Sequence, residues 1–260
     1  RREVPGLGSL IFFAKTDEPD GYDKWKKSNN EGKVMDAIQT GGTHNDLARM
    51  LFEMFRTRFR CASIGSKKWF QFVDHAWEEM EEGTFLRSKI SDPAGGLVGI
   101  FETSISKQRA ILAGETDEAA KEMHNFRIKA MKKIILQLKD ARYKNNVMRE
   151  CMEVFYDKKF IKNLDKDRMK VAFDNGVYDL TENIFRDGLP EDYISTKMPV
   201  KYKTFKRTDE AVKQVEIFFE QVFPDTTVRK YFLDVYSEIF EGGNQRKIVL
   251  IWTGDGNNAK

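Results

Sequence analysis

The sequence predicts a mixed fold in which an α+β domain passes into a pair of helices and then into the opening strand of an α/β domain. Three observations predict it. Apolar residues recur at helical spacing in several stretches between residues 44 and 156. An Asn-Gly pair separates two short apolar runs at 171–180. A wholly apolar run at 248–252 leads directly into a glycine-bearing loop.

The elements follow in order. Residues 1–42 are rich in Gly, Asp, Lys and Asn and contain Pro5 and Pro19, so few regular elements are expected in this arm. Thr43 then offers a helix cap with Asp46 three residues on, and Leu47, Leu51, Met54, Phe55 and Phe59 fall on one face of a helix over 44–60. Residues 61–73 read as two strands around a Gly-Ser turn, Cys61–Ile64 and Trp69–Val73. The acidic stretch from Glu78 to Glu82 reads as a solvated face ending at Gly83, and Pro93, Gly95, Gly96 and Gly99 mark a loop. Two helices are expected over 116–156. One carries a stripe of Met123, Ala130, Met131, Ile134 and Leu138, the other Val147, Met148, Val154 and Phe155, with the break at Lys144–Asn146.

The pair Asn175-Gly176 predicts a hairpin with a two-residue turn, because both central residues of that turn need positive φ. Val212, Val215, Phe218, Phe219 and Val222 make one further helical stripe that stops at Pro224. Asp225 can cap the next, which carries Val228, Phe232, Val235 and Ile239 and ends at Gly242-Gly243. This organises the chain as an arm at 1–42, an α+β domain at 43–206, paired helices at 207–243 and the start of another domain at 244–260.

Composition limits the function classes. With 260 residues, 40% of them hydrophobic, the chain can bury a real core. A net charge of +3 does not by itself imply nucleic acid. Cys61 and Cys151 alone form neither a disulfide framework nor a zinc site, and His44, His75 and His124 are scattered. No apolar run is long enough to span a bilayer and no signal-peptide pattern opens the chain, so an intracellular protein without a membrane partner or bound metal is expected. The opening Arg1-Arg2-Glu3 and the close on Lys260 within a motif read as a piece of a longer polypeptide.

That motif carries the chemistry. Ile248–Trp252 reads as a buried parallel strand, and Gly254-Asp255-Gly256-Asn257-Asn258-Ala259-Lys260 follows it. A strand, a glycine-bearing loop and a lysine six positions after Gly254 give the geometry of a phosphate loop. Backbone N–H groups from Gly254 to Ala259 would wrap the phosphates of ATP, and Lys260 would reach the β and γ oxygens. The pattern departs from the usual one at Ala259, where glycine is expected. The bland alternative is a strand, a surface turn and an exposed lysine.

This loop resembles the Walker A loop of superfamily 3 helicases, with Asn258 just before the Gly/Ala position as a mark of that group. Ala172–Leu180 (AFDNGVYDL) resembles a signature of the domain that precedes the motor in the poxvirus-type primase–helicases of large DNA viruses. Asp192-Tyr193-Ile194-Ser195 stands where that family has D-x-I-S. Phe223-Pro224-Asp225, Val228-Arg229, Tyr231–Leu233, Trp69-Phe70 and Trp77 extend the resemblance from about residue 60 to the end.

The resemblance implies an α+β linking domain, a helical collar and the first strand of an AAA+-like P-loop motor. It implies an ATP-dependent DNA helicase that acts at the virus replication site, in cytoplasm or nucleus, as a ring homo-hexamer with a primase domain in the same polypeptide. It implies Mg²⁺, with protein ligands outside this chain, and no hydrolysis by residues 1–260 alone. Two alternatives stand beside it: a non-catalytic oligomerisation and DNA-docking module, and a phage or plasmid primase–helicase.

Two basic strings are candidates for DNA contact. Lys129, Lys132 and Lys133 lie in one with Arg127, Lys139, Arg142, Lys144 and Arg149. Lys201, Lys203, Lys206 and Arg207 form the other with Lys197, interleaved with Tyr202 and Phe205. A solvated helix face is the plainer reading of such runs. Trp69 and Trp77 read as core, the Asp74-His75 pair as structural, Asp174 as turn chemistry and Asp179 as solvated.

Overall fold

The computed structural model describes residues 7–241 together with Lys247, Val249 and Ile251. The chain divides into two compact units. The first comprises the described residues up to Val73, then Trp77–Leu164 and Leu189–Tyr193; the second comprises Asp74–Ala76, Asp165–Gly188 and the described residues from Ile194 on. The division at 164/165 falls inside the stretch that the sequence groups as 43–206.

The first unit opens with helices α1 (Leu7–Asp17) and α2 (Pro19–Thr40), which corrects the expectation of an arm with few regular elements. The interior of α2 holds Gly21, Asn29, Asn30 and Gly32, all poor helix formers, so its local signal is weak. Val34, Ala37 and Ile38 are buried, and that tertiary packing supplies what propensity lacks. Gly41 ends the helix in the left-handed conformation.

Helix α3 (His44–Phe55) begins as the sequence indicates. Thr43 Oγ1 accepts from the Asp46 backbone N–H and donates to the Asp46 carboxylate. It stops at Phe55, however, and Phe59 belongs to strand β1 (Phe59–Ser63). With β2 (Lys68–Val73) and β3 (Ala76–Met80) this strand makes a three-stranded sheet in the order β1-β2-β3. The acidic run therefore includes a strand: Glu78 and Glu79 are exposed while Trp77 and Met80 are buried. Asp74 and His75, at φ 45° and 70°, form the two-residue positive-φ turn that joins β2 to β3.

Four more helices build the body: α4 (Thr84–Ser91), α5 (Leu97–Gly114), α6 (Glu118–Lys139) and α7 (Ala141–Val154). Gly99, read as loop, lies in the first turn of α5, where a Cβ would run into the Pro93 carbonyl. The break between α6 and α7 is at Asp140, not at 144–146. The Asp140 carboxylate accepts from the Tyr143 N–H at 2.7 Å and so caps α7, which runs unbroken through 144–146. A short helix, α8 (Phe160–Asn163), completes the unit.

One apolar core runs from Val34 through Leu51, Trp69, Phe101 and Leu138 to Phe155. Trp69 and Trp77 are each 1% exposed, as core residues should be, and the Trp77 indole N–H donates to Pro190 O at 2.8 Å.

The second unit is built on a small sheet of order β6-β5-β4-β7. Its strands are β4 (Lys170–Phe173), β5 (Gly176–Asp179), β6 (Ile184–Arg186) and β7 (Lys197–Met198). β4 and β5 form the predicted hairpin, but Phe173 pairs with Gly176, so the turn residues are Asp174 and Asn175. Neither has positive φ; Gly176 opens β5 at φ 154°.

Ala172, Val177 and Ile194 form the buried cluster on one face of this sheet. Helices α9 (Glu210–Val222) and α10 (Thr226–Ser237) follow, with Asp225 accepting from the Thr227 and Val228 N–H groups to cap the second. The stripe read from the sequence is mostly not buried. Of the stripe, Val215, Phe218, Val228 and Ile239 are at least 50% exposed, and beside it Ile217 on α9 and Tyr231 and Leu233 on α10 are at least 41% exposed.

Candidate nucleotide and DNA sites

The residues read as the phosphate loop, Gly254–Lys260, lie outside the described residues. Of the apolar run before them, Val249 and Ile251 are described; they are 85% and 84% exposed and are not in a strand. The other residues of the run expected as a buried parallel strand, Ile248, Leu250 and Trp252, lie outside the described residues.

The signature at 172–180 is fully described, and its residues hold the second unit together. Asn175 is half-buried and turns its amide to the backbone of Tyr202. Its Nδ2 donates to Tyr202 O at 3.1 Å and its Oδ1 accepts from Tyr202 N–H at 2.7 Å. A side chain thus makes the two-way contact that a neighbouring strand would make. Next to it, the Asp174 N–H donates to Val200 O at 3.1 Å.

Gly176 is required where it stands. A Cβ there would lie 2.6 Å from Arg186 O and 2.6 Å from the Phe185 ring, on a backbone conformation that side-chain-bearing residues avoid. Asp179 is buried, not solvated. Its Oδ1 accepts from the Thr181 and Glu182 N–H groups, and Arg186 lies 3.7 Å from Oδ2.

The D-x-I-S residues are likewise tied down. Asp192 accepts from the Leu189 N–H at 2.8 Å. The Ser195 N–H donates to the Asp165 carboxylate at 2.7 Å and its hydroxyl donates to the same group. Asp165 was not singled out from the sequence; it lies 30 residues from its partner in a charged, unpatterned stretch that offers no local signal. His75 accepts from the Gly188 N–H at 3.0 Å, which makes it a structural histidine.

The pairing that fixes β4, β5 and β6 also places Phe173, Tyr178 and Phe185 on the sheet face opposite Ala172 and Val177. Tyr202 joins them, stacked on Phe185 at 4.4 Å with 22° between the rings. Lys201, Lys203, Phe205, Lys206 and Arg207 beside it are exposed, with Phe205 61% exposed.

In the first unit, Lys129, Lys132 and Lys133 stand on the solvent side of α6, opposite the buried Ile128, Met131, Ile134, Ile135 and Leu138. Phe126 and Leu136 share that outer side at 65% and 72% exposure. A cavity of about 590 Å³ lies in the first unit among Lys33, Asp36, Asn45, Asp46, Arg49, Glu53 and Glu153. Its lining carries both signs of charge, and Glu53 lies 3.9 Å from Lys33 and 3.6 Å from Arg56. Burial is the main cause holding the Lys33 ammonium below its ordinary pKa. Among the described residues no group of His, Cys, Asp and Glu could hold a metal, and no helix is long and apolar enough to cross a membrane.

These features define a mixed α/β protein whose sequence signature is a structural device, and comparison with known proteins says which. The family model described as "D5 N terminal like" matches residues 48–228, and the chain belongs to that family. The resemblance to the poxvirus-type primase–helicases of large DNA viruses therefore holds.

A protein of Acanthamoeba polyphaga mimivirus, named as a candidate helicase, is 33% identical over 98% of this chain and 26% of its own length. Proteins named in the same way from Frog virus 3 and Invertebrate iridescent virus 3 are each 26% identical. Those two alignments cover 97% and 99% of this chain and 34% and 30% of the relatives. The chain thus spans about a quarter to a third of the length of the relatives it matches.

Proposed function

We propose that this chain supplies the linking domain, the helical collar and the Walker A loop of an ATP-dependent DNA helicase within a viral replicative primase–helicase. The family match over residues 48–228 carries the reading, and the helicase names of the relatives support it. Gly254–Lys260 come after both the family match, which ends at residue 228, and the helices of the second unit, an order that fits a motor downstream of the family domain.

In this reading the backbone from Gly254 to Ala259 cradles the phosphates and the Lys260 ammonium pairs with the β and γ oxygens. Mg²⁺, held by protein ligands outside this chain, would supply positive charge to offset that of the phosphates. The apolar faces left open on α9 and α10 suit helices that pack against further protein. A collar in a ring of six copies, at the virus replication site, would bury them.

The test is Lys260→Ala in a protein of the relatives' length. ATP hydrolysis should be abolished while the melting temperature is unchanged, because the lysine partners the ligand and not the core. Hydrolysis at near wild-type rate would remove the phosphate-loop assignment and leave the docking-module reading. Ala259→Gly, which restores the usual residue, should bind nucleotide at least as well as the parent.

A further inference from the structure

We propose that residues 197–207 form a track for single-stranded DNA, with Lys201, Lys203, Lys206 and Arg207 meeting the phosphates and Phe205 stacking a base. The proposal rests on the reading that this protein works on DNA, and it adds where a strand lies.

Charge makes the first case. From Tyr193 to Thr208 there is no Asp or Glu, while Lys197, Lys201, Lys203, Lys206 and Arg207 all fall within that stretch. Lys201, Lys203, Lys206 and Arg207 are exposed, and none of them makes an ion pair among the described residues. Exposed positive charge with no ion-pair partner among the described residues, as at Lys201, Lys203, Lys206 and Arg207, is the feature that draws a polyanion and releases its counterions.

Geometry makes the second. The segment has no regular secondary structure after Met198, yet it is pinned at two points. Asn175 holds the backbone of Tyr202, and the Asp209 carboxylate accepts from the Lys206 N–H at 2.9 Å. Lys203, Thr204 and Phe205 span the gap between the anchors in a fixed, exposed path. Tyr202 is spent on the stack with Phe185, which leaves Phe205 as the open aromatic ring of the segment.

An exposed ring between phosphate-binding cations suits an unpaired base; a duplex hides the faces of its bases, so it would use the cations and waste the ring. The outer side of α6 makes a weaker case. There Phe126 is as open as Phe205, but the lysines stand on a regular helix, where a solvated face accounts for them, and the exposed Glu122 lies one turn before the ring.

The test is fluorescence anisotropy of a labelled oligothymidine of about 16 nucleotides with the whole 260-residue chain. Phe205→Ala should weaken binding by about 5- to 150-fold, and Phe205→Trp should retain it. Replacing Lys201, Lys203, Lys206 and Arg207 together by Gln should lower the slope of log K against log salt by about 3. All five side chains are exposed, so thermal melts should not change; if Phe205→Ala melts early, Phe205→Leu keeps bulk without a π-face and serves instead.

Wild-type affinity in both sets of variants would overturn the track while leaving the helicase reading intact. A wild-type chain that binds no oligothymidine would overturn the track and count against DNA as a partner of this region, with ATP hydrolysis still to be judged through Lys260. Equal affinity for a duplex of the same length, or displacement by polyglutamate as readily as by oligothymidine, would show a generic anion surface and sink the single-strand claim.

Discussion

The two units stabilise themselves by different means. The first buries a continuous apolar core in which Trp69, Phe101 and Phe155 are almost wholly excluded from water. The second has a buried cluster of Ala172, Val177 and Ile194, and it relies on polar side chains that close backbone hydrogen bonds. Asn175 grips Tyr202, Asp165 grips Ser195, and Asp179 caps the turn after β5. The difference teaches where sequence signatures arise. A core tolerates exchange of one apolar residue for another of similar volume, whereas a two-way grip on a backbone requires one particular amide. The string at 172–180 stands out in the sequence because it belongs to the second kind of structure.

Substitutions can break or sharpen that contrast, and hydrogen exchange read by mass spectrometry locates the effect in one unit or the other. The largest loss is expected for Trp69→Ala, about 3–5 kcal/mol, from the cavity left beside Phe155 and Gly83. Its faster exchange should be confined to the first unit. If both units loosened equally, they would not be independent in the way their separate cores suggest.

Gly176→Val comes next, at about 1–3 kcal/mol for the disfavoured backbone, with added strain because Arg186 O and the Phe185 ring already occupy the place of a Cβ. The loss should appear in the second unit. An unchanged melting temperature would remove both the backbone and the close-approach arguments at once.

Asn175→Ala should cost about 1–3 kcal/mol, since it leaves two backbone groups of Tyr202 without their partner. Exchange should quicken at 200–203 more than in β4. The reverse order would mean that the amide serves the turn and not the neighbouring segment.

The smallest effect concerns alkaline pH. Burial pushes the Cys61 thiol from 9.0 up to about 11. It also raises that of Cys151, with a further push from Glu150. Unfolded thiols ionise first, so the stabilisation present below pH 9.0 is lost as pH rises toward the folded value. Denaturant midpoints of wild type and Cys61→Ala should therefore converge above pH 9.0. A constant gap between them would show that burial does not restrain the thiol.

Much of the first unit was legible where a local signal coincides with burial. Thr43 and Asp46 announce α3, and Trp69 to Val73 announce β2. Legibility failed where distant packing overrides local chemistry. Helix α2 carries glycines and asparagines and is held by Val34, Ala37 and Ile38 against the core. Strand β3 hides in an acidic run because two of its side chains face water.

At the hairpin the sequence announced the right element and misplaced the turn by one residue. The Asn-Gly rule reads φ preference alone, and here Asn175 is kept for its side chain and Gly176 for its lack of one. The candidate site divides in the same way. The exposed cations at 201–207 and on α6 were legible as charge runs, whereas the commitment of Tyr202 to an aromatic stack depends on pairing across strands.

The grip of Asn175 also bears on how the molecule ages. An asparagine followed by glycine is the dipeptide most prone to lose its amide, because the next backbone nitrogen can reach the side-chain carbonyl carbon and close a succinimide ring. Here Nδ2 is tethered to Tyr202 O, and strand pairing holds Gly176 against Phe173, so the ring cannot close without first releasing both. Folding thus shelters the bond. Once the chain has opened and hydrolysis has left a carboxylate at this position, the donor to Tyr202 O is gone, and each such event makes the next opening of the segment easier.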